Sequence, residues 1–441
     1  MTWITRSAQR NRRRMAVMTL SALPFAACHQ GVEPPPTAAR VEPALTAPTR
    51  IVLEVPGHSN AAISVAALGK TVAAVWTAST DEGADIYAGV STDGGASFGT
   101  PVRVNDVEGD ARASGEQAAR VVVGVGNGIH VVWPSRSDGH SIIRYATSKD
   151  FGRTFTPSAT IAGAALTGAR GWHALTLGYD GGVQVVWLDG RFAPPMKHRH
   201  GGPQSAAAMK AARTPGGPRQ DIFHASLGKD GTWSERSVAA NVCFCCKTAI
   251  AAAGEHVYAA YRNIYPGSVR DITVSRSSDN GATFGQPIRA SEDGWKIDAC
   301  PDDGAAMVAD GHSGIHIVWP TLMPGDTPHK GIFYAALAGE GFTPRLRLDA
   351  GDGDPAHPQM AADFHTNTAV VWDERVGETR RVVFRTIADG KAAPPQTFTG
   401  DGVSYPAVTS TEGAWIVLWT SQDAAGRSVI EGRRIPAGEG H

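Results

Sequence analysis

The chain has 441 residues and a formal net charge of −1 at pH 7, with 42% hydrophobic and 19% charged residues. The charges do not gather into the basic face that nucleic acid requires, which excludes nucleic acid as a partner. One apolar run lies near the N-terminus, and no second run approaches the length of a membrane span. The rest of the chain is long enough to bury a large core.

Residues 1–27 have the pattern of a signal peptide. Five arginines make a basic region, and the apolar run MAVMTLSALPFAA (15–27) is too short to span a bilayer. The stretch FAAC (25–28) resembles a bacterial lipobox, in which Cys28 would be lipidated. Simple cleavage and release of the chain is the alternative.

Residues 28–49 contain Cys28 and a Pro-rich, polar segment that is typical of an extended tether. Removal of the signal peptide takes away five arginines and no acidic residue, so the formal net charge moves from −1 to about −6. We expect residues 50–436 to fold and residues 437–441 to form a C-terminal tail. The protein should lie in the bacterial cell envelope, facing the periplasm or the exterior, with a lipid anchor as its only link to the membrane.

A short β-branched run that ends in Trp or Tyr recurs seven times in the sequence. The aromatic residues are spaced by 47 to 74 residues, near the size of a four-stranded propeller blade. Each run follows a small apolar strand and a Gly-containing turn, and a third strand comes after it. The seven aromatic residues are Trp76, Trp133, Trp187, Tyr261, Trp319, Trp372 and Trp419.

Short strands at even spacing with Gly-rich turns predict an all-β array, and radial closure protects its edges. We therefore predict a β-propeller of four-stranded antiparallel blades, with seven blades favoured and six as the alternative. The segment TRIVLEV (49–55) has the pattern of a separate outer strand, which would complete the last blade and close the ring.

Three of the third strands run into a repeated turn sequence, Ser-x-Asp-x-Gly-x-[Ser/Thr]-Phe. The pattern resembles the Asp-box, or BNR repeat, of the sialidase superfamily, and the resemblance covers essentially all of residues 50–436. Asp bonds backbone N–H groups in tight turns and Gly supplies a permissive backbone, so we interpret the box as a turn former. In that family these turns lie on the face opposite the active site. The box residues are Ser91, Asp93, Gly95, Phe98, Ser148, Asp150, Gly152, Phe155, Ser277, Asp279, Gly281 and Phe284.

In a propeller, the loops before each first strand and the loops after each second strand share one face. Here they carry arginines, carboxylates, histidines and thiols, and ligand sites on rigid scaffolds usually lie on such loops. We expect a ligand in the central funnel to contact Trp172, His173 and His357. The other residues of this predicted face are His58, Asn60, Glu116, Gln117, Cys245, Cys246, Cys300, Asp302, Asp303, Tyr405, Arg136, Asp189, Arg191, Arg262, Asn263, Tyr265, His329, Asp373 and Arg375.

The resemblance to sialidases also implies roles for some of these residues. Guanidinium groups bind carboxylates bidentately, and the family binds a sugar carboxylate with three arginines. A Tyr acts as nucleophile there and an Asp as acid/base, which implies Tyr265 as nucleophile and Asp302 or Asp189 as acid. Salt bridges between blades are the alternative role for the charged residues. The three arginines implied are Arg191, Arg262 and Arg375.

The sequence NVCFCCKTAI (241–250) holds three of the five cysteines. A bridge from Cys245 or Cys246 to Cys300 would join the inner strands of adjacent blades, and a second bridge would then be local and strained. In this interpretation the cysteines are structural, as is usual in an oxidising compartment.

Two other interpretations of the cluster stay open. The thiolates of Cys243, Cys245, Cys246 and Cys300, with His357 or His173, would suit copper or zinc. In the second of these interpretations, two of the cysteines form a redox-active pair.

The sequence therefore predicts a sialidase-like propeller that binds a glycan or another carboxylate-bearing ligand, with glycoside hydrolysis as a further activity. The alternative is a propeller without enzymatic activity, which binds metal or a protein partner through the cysteine cluster. The fold alone does not choose between these functions.

Overall fold

The computed structural model describes most of the chain from residue 48 onward, and these residues belong to one unit, Leu45–His441. The predicted signal peptide, Cys28 and nearly all of the tether lie outside the described residues, as do Cys300 and Asp302. The described ranges are 48–161, 168–192, 220–296, 303–323 and 329–437.

Within the described residues the backbone forms seven antiparallel sheets, each of four or five strands. Each sheet is one blade, and we number the blades from the first complete sheet in the chain. Blade 1 has β2 (Ser59–Leu68), β3 (Thr71–Thr80), β4 (Gly83–Ser91) and β5 (Val102–Arg103). Blade 2 has β6 (Arg120–Val123), β7 (Ile129–Ser137), β8 (His140–Ser148) and β9 (Ala159–Thr160). Blade 3 has β10 (Arg170–Leu177), β11 (Val183–Asp189), β12 (Asp221–Leu227) and β13 (Trp233–Ala239).

The later blades repeat the same order of strands, and two of them carry an extra short strand. Blade 4 has β14 (Ala249–Ala253), β15 (His256–Arg262), β16 (Ile272–Ser277) and β17 (Ile288–Arg289). Blade 5 has β18 (Ala306–Ala309), β19 (Ile315–Met323), β20 (His329–Ala338), β21 (Gly341–Phe342) and β22 (Leu346–Arg347). Blade 6 has β23 (Asp354–Ala362), β24 (Thr368–Val376), β25 (Thr379–Ala388), β26 (Lys391–Ala392) and β27 (Gln396–Thr399). Blade 7 has β28 (Ser404–Thr411), β29 (Ala414–Gln422), β30 (Ser428–Pro436) and β1 (Thr49–Leu53).

Two short 3₁₀ helices, Val125–Asn127 and Pro266–Ser268, are the helical segments of the described residues. Neither of them is long and apolar enough to cross a membrane. The structure confirms the prediction of an all-β propeller with seven blades.

The N-terminal strand closes the ring. Strand β1 pairs antiparallel with β30, from Thr49 opposite Arg434 to Leu53 opposite Ile430. Ile51 and Leu53 turn their side chains into the core that blades 7 and 1 share. The outer strand of blade 7 therefore comes from the opposite end of the folded chain, as the sequence predicts.

The core lies between the blades. The aromatic residue of each second strand is at most 3% exposed. It packs on apolar side chains of the neighbouring sheet, as Trp133 of blade 2 does with Val75 of blade 1. Such flat aromatic side chains fill a wedge between sheets and bury a large area. Every blade therefore depends on both of its neighbours.

The three Asp-boxes form the same hydrogen-bonded turn. In the third box, Ser277 Oγ donates to Asp279 and accepts from the amide of Gly281 at 2.8 Å. Asp279 in turn accepts from the hydroxyl and the amide of Thr283, and these bonds lower the pKa of Asp279 to about 2. Gly281 has φ +86°, and a Cβ there would lie 2.4 Å from the ring of His224. These contacts fit the turn-forming role interpreted from the sequence.

The innermost strands of four blades carry a bulge at the same place. Ala62, Trp172, His357 and Tyr405 have φ between 50° and 58°, and each lies where the register of its strand shifts. A left-handed backbone is rare outside Gly, and bulges often re-aim a side chain beside an active site. The bulges are therefore the local structure that determines the direction of side chains around the channel.

Replacing Ser277 by Ala should destabilise blade 4, because the buried turn loses three hydrogen bonds of the Ser277 hydroxyl. We expect the free energy of unfolding in urea to fall by about 1 to 3 kcal/mol. The matched control is Ser278→Ala, since Ser278 is exposed. Equal effects of the two substitutions would contradict the role of the buried hydroxyl.

Candidate functional site

The imidazole of His357 lies between two carboxylates at the mouth of the central channel. Its Nδ1 is 2.7 Å from Asp373 Oδ2 and its Nε2 is 2.8 Å from Glu116 Oε1. His357 comes from the bulge of β23 and Asp373 from the adjacent β24, whereas Glu116 precedes β6 in blade 2. The contact with Glu116 therefore spans the channel between blades 2 and 6.

His357 is held as a cation by these contacts. Burial opposes the charge, but hydrogen bonds to Asp373 and Glu116 outweigh it and raise the pKa of His357 to about 10. Both ring nitrogens then donate, which agrees with a carboxylate oxygen on either side. The hydrogen bond from His357 also lowers the pKa of Glu116, although burial works in the other direction.

Tyr405 stacks on this imidazole from the bulge of β28 in blade 7. The ring centroids of His357 and Tyr405 are 4.1 Å apart with 30° between the planes. The amide of Tyr405 donates to Asp373 Oδ2 at 2.8 Å, and burial raises the pKa of the phenol to about 12. A Cβ on Gly115 would lie 2.4 Å from the Tyr405 ring, so this position needs Gly.

Lys247 and Asp303 extend the group through blades 4 and 5. Lys247 Nζ donates to the carbonyl of Pro358 at 2.9 Å and lies 3.9 Å from Asp303 Oδ1. Asp303 Oδ2 accepts from the amide of His357 at 2.7 Å. Burial lowers the pKa of Lys247 and raises the pKa of the Asp303 carboxyl. Five blades thus contribute side chains to one polar cluster.

A narrow cleft opens onto this cluster. Three cations line it, Arg120, Lys247 and His357, together with Glu116 and the ring of Tyr405. Arg120 makes no ion pair with any carboxylate of the described residues, and burial lowers its pKa to about 10. The cavity volume is about 10 Å³, which is room for roughly one water molecule. A larger ligand would therefore lie over the mouth and send one polar group into the cleft.

Trp172 and His173 lie on β10 of blade 3. The Trp172 amide donates to Gln117 Oε1 at 3.0 Å, and its ring packs against the cysteine cluster. His173 is 1% exposed, and its ring lies near backbone groups of Val132 and Ala118. Burial lowers the pKa of His173 to about 3, so the imidazole is neutral. The ligand-binding roles of both residues stay predictions.

Arg191 and Asp189 form a salt-bridge network. Arg191 donates from Nε and Nη2 to Asp189 at 2.9 and 2.7 Å, and from Nη1 to Glu235 at 2.6 Å. Asp189 is fully buried, accepts from Trp187 Nε1 and lies 3.3 Å from Arg170 Nε. These contacts are salt bridges, the alternative role that the sequence allows for the charged residues. The proposed acid role of Asp189 and ligand role of Arg191 stay predictions.

Arg262, Tyr265 and Arg375 have separate surroundings. Arg262 is 1% exposed and donates to the carbonyls of Arg270 and Pro320. The Tyr265 hydroxyl bonds Thr273 Oγ1 at 2.7 Å, while Arg375 is exposed on β24. The contacts of Arg262 hold two blades together, and its role towards a carboxylate stays a prediction, as do those of Tyr265 and Arg375.

The cysteine cluster lies beneath Trp172. Cys243 and Cys246 are free, with their sulfur atoms 2.7 Å apart, whereas Cys245 is disulfide-bonded. Arg270 Nη1 donates to Cys243 Sγ at 3.2 Å. The hydrogen bond from Cys246 and the charge of Arg270 lower the pKa of Cys243, and burial raises the pKa of Cys246. The bridge to Cys300 stays a prediction because Cys300 lies outside the described residues.

The predicted metal site has part of its ligand set in place. The sulfur atoms of Cys243, Cys245 and Cys246 lie within 4.8 Å of one another. A disulfide sulfur lacks the thiolate charge that a metal ion requires, so two thiols remain as ligands. Cys300, the fourth predicted ligand, is among the residues not described.

The sequence places Glu116, Asp373 and Tyr405 on the correct face but does not single them out. Their importance comes from contacts with His357 that cross between blades. The signal that could have found them is their position before or after an inner strand. Gly115 was not recognised, because its role is to make room for Tyr405.

The fold and the site together define a seven-bladed Asp-box propeller with a polar cluster at the mouth of its channel. The family described as the BNR repeat-like domain matches residues 70–417, and the chain belongs to this family. No curated protein matches the sequence.

Solved structures similar to this chain include an ulvan lyase bound to a saccharide of GlcA and Rha3S. It shares 9% identity with this chain at a TM-score of 0.54, over 86% of this chain and 94% of the lyase. The sialidase of Trypanosoma rangeli with the inhibitor DANA has 11% identity and a TM-score of 0.46, over 86% of this chain and 55% of the sialidase. The α-L-arabinanase of Penicillium chrysogenum with arabinobiose has 12% identity and a TM-score of 0.48, over 72% and 92%.

The His357 cation should make stability depend on pH. Its folded pKa is about 10, above the ordinary 6.5, so its stabilisation is complete below about pH 6.5 and is lost as pH rises towards 10. We expect His357→Gln to lower the free energy of unfolding by about 3 kcal/mol at pH 6 and by much less at pH 10.

The measurement is urea unfolding at several pH values between 6 and 10. Glu116, Asp303 and Tyr405 are present in both the wild type and the His357→Gln variant, so the comparison isolates the charge of His357. His365→Gln is the control because His365 is exposed. A His357→Gln effect that is the same at pH 6 and pH 10 would contradict the charged imidazole.

Proposed function

We propose that the protein binds a glycan or another carboxylate-bearing ligand at the mouth of its channel. The observation that carries the proposal is the convergence of Arg120, Lys247 and His357, from three different blades, on one cleft. Arg120 offers a guanidinium group that has no close carboxylate partner among the described residues, with the charge of Glu116 acting on it from farther away. Guanidinium groups suit carboxylates because both are planar and pair through two hydrogen bonds.

The charge of the cluster also favours an anionic ligand. The cluster has three carboxylates, those of Glu116, Asp303 and Asp373. It has four cations, namely Arg120, Lys247, His357 and Arg380, and Arg380 pairs with Asp373. Burial raises the pKa of Asp303 and lowers the pKa of Lys247, so it weakens one charge of each sign and leaves the cations in excess by one. One further negative group over the cleft would therefore be attracted, and a cation would not.

Backbone strain supports a binding role for this face. Trp172, His357 and Tyr405 are large residues held in left-handed backbone at the mouth of the channel. Such conformations cost about 1 to 3 kcal/mol each and persist where the surrounding structure requires them, often at ligand sites. Aromatic rings beside convergent polar groups are typical of ligand sites. The saccharide in the ulvan lyase, which shares this fold, agrees with a glycan as the ligand class.

Glycoside hydrolysis is the narrower form of the proposal. It requires two side chains that flank the glycosidic bond, one as acid and one as nucleophile or base. Tyr265 with Asp302 or Asp189 is the set that the sialidase resemblance implies. The channel mouth adds the carboxylate of Glu116 beside the protonated phenol of Tyr405.

Binding is tested by calorimetry of the full chain with uronic-acid oligosaccharides and with neutral oligosaccharides of equal length. Arg120→Gln should weaken binding of the uronic-acid series about tenfold, because one charged hydrogen bond is lost. Arg153→Gln is the matched control, since Arg153 is exposed in an Asp-box turn. The proposal fails if wild type binds neither series, or if both variants bind like wild type.

Hydrolysis is tested separately with a fluorogenic sialoside. If Tyr265 is the nucleophile, the wild type turns the substrate over and Tyr265→Phe abolishes turnover while leaving binding intact. Turnover that survives in Tyr265→Phe but is lost in Glu116→Gln would move the chemistry to the channel mouth. Absence of turnover in a wild type that binds glycans would leave a binding protein.

The envelope location is a proposal that rests on residues 1–49. Replacing Cys28 by Ser should move the protein from the membrane fraction to the soluble fraction of cells, because the lipid anchor would be lost. His29→Gln is the control, since it changes the neighbouring residue and keeps the Cys28 thiol. A Cys28→Ser protein that stays with the membrane would rule out the lipid anchor.

A further inference from the structure

Cys243 and Cys246 form a buried pair of thiols in the segment between β13 and β14. The two sulfur atoms are 2.7 Å apart, and the side chains are 1% and 2% exposed. The Cys243 amide donates to the carbonyl of Arg262 at 3.0 Å, which ties the segment to the end of β15. The two residues are therefore held in contact by the fold of blade 4.

The pair is chemically separate from the disulfide beside it. Cys245 is disulfide-bonded, but its partner is neither Cys243 nor Cys246, since both are free. Two thiols thus remain in a cluster where the third sulfur is already oxidised. A disulfide between Cys243 and Cys246 would close a loop of only four residues, and such a small loop gains little stability from closure.

Two buried arginines lie against this pair. Arg262 and Arg270 are each 1% exposed, and neither forms an ion pair with a carboxylate of the described residues. Arg262 stacks over the ring of Trp295 at 4.5 Å and donates to backbone carbonyls, while Arg270 Nη1 points at Cys243 Sγ. A buried cation requires a compensating anion. Within the described ranges, the sulfur of Cys243 is the group in position to be that anion.

The same charges disfavour a metal ion. Two guanidinium groups would repel a cation held by Cys243 and Cys246. A guanidinium beside a thiol and a second thiol in contact with it are two features of a reactive cysteine and its resolving partner. The third feature, access, is limited by burial to small molecules.

We propose that Cys243 and Cys246 form a redox-active dithiol, which a small hydroperoxide oxidises to a disulfide and a dithiol reductant restores. The Cys243 thiolate attacks the peroxide, giving a sulfenic acid and, with hydrogen peroxide, one water after proton uptake. Cys246 then attacks the Cys243 sulfur, which forms the S–S bond and releases a second water. Two thiols and one peroxide thus yield one disulfide and two waters.

Reduction follows by thiol–disulfide exchange. A thiolate of the reductant attacks one sulfur and forms a mixed disulfide, and its second thiol then releases the protein as a dithiol. Hydrogen peroxide is the oxidant favoured by the burial of the pair, because it is little larger than water. Exchange with the larger dithiol requires the segment between β13 and β14 to open first. The proposal does not rest on ligand binding at the channel mouth.

The test is differential alkylation of the folded, full chain, equilibrated in a series of dithiothreitol buffers and then quenched in acid, denatured and alkylated. We expect Cys243 and Cys246 to change together between alkylated and disulfide-bonded, while Cys245 stays oxidised throughout. One equivalent of hydrogen peroxide should convert the reduced pair to the disulfide.

Three results would overturn the proposal. One is a pair that peroxide leaves alkylatable. Another is reduction of Cys243, Cys245 and Cys246 together, which would make the cluster a single structural unit. The third is a chain that binds one zinc or copper ion and resists oxidation until a chelator removes it, which would assign the cluster to metal.

The role of the guanidinium is tested by the rate of peroxide consumption. Arg270→Met removes the charge next to Cys243 and should slow oxidation about tenfold, since the thiolate is no longer stabilised. Arg270→Lys keeps the charge and should retain most of the rate. An unchanged rate in a folded Arg270→Met protein would remove Arg270 from the mechanism. If Arg270→Met does not fold, the wild-type redox titration decides the proposal alone.

Discussion

The packing of each blade against its two neighbours is the constraint on which the rest of this structure depends. An isolated blade would expose its apolar faces, and the core clusters join sheets of adjacent blades, including blades 7 and 1. The ring therefore has to close, and the pairing of β1 with β30 closes it. Once the ring is closed, seven inner strands begin around one axis. Residues far apart in the chain, such as Glu116 and His357, then face each other.

The closed ring of packed blades stabilises locally unfavourable structure at the channel mouth. Left-handed backbone at His357 and Tyr405, and a buried imidazolium between two carboxylates, each cost free energy by themselves. They persist because the carboxylates satisfy both ring nitrogens and the Asp373 carboxylate also accepts the amide of Tyr405. A scaffold with a softer core would relax the bulges and separate these groups.

Much of the fold can be predicted from the sequence because each repeat of the sequence pattern corresponds to one blade. The aromatic residue of each second strand, the Asp-box turns and the outer strand at residues 49–55 all predict features that the structure contains. The site is less accessible to prediction. The pairing of His357 with Glu116 depends on the width of the channel, and the bulges that direct His357 and Tyr405 have no recognisable sequence pattern. The sequence also could not decide which cysteine of CFCC is bridged, since neighbouring residues differ only in orientation.

The two candidate sites use positive charge in different ways, and one short segment joins them. At the channel mouth, His357 has carboxylates on both sides and Lys247 lies near Asp303, whereas Arg120 has no close carboxylate partner among the described residues. At the thiol pair, Arg270 faces sulfur with no carboxylate partner among the described residues. Lys247 directly follows Cys246, so the backbone that positions the thiol also positions a cation of the cleft. Closing a bond between Cys243 and Cys246 would therefore act on the segment that positions Lys247 in the cleft.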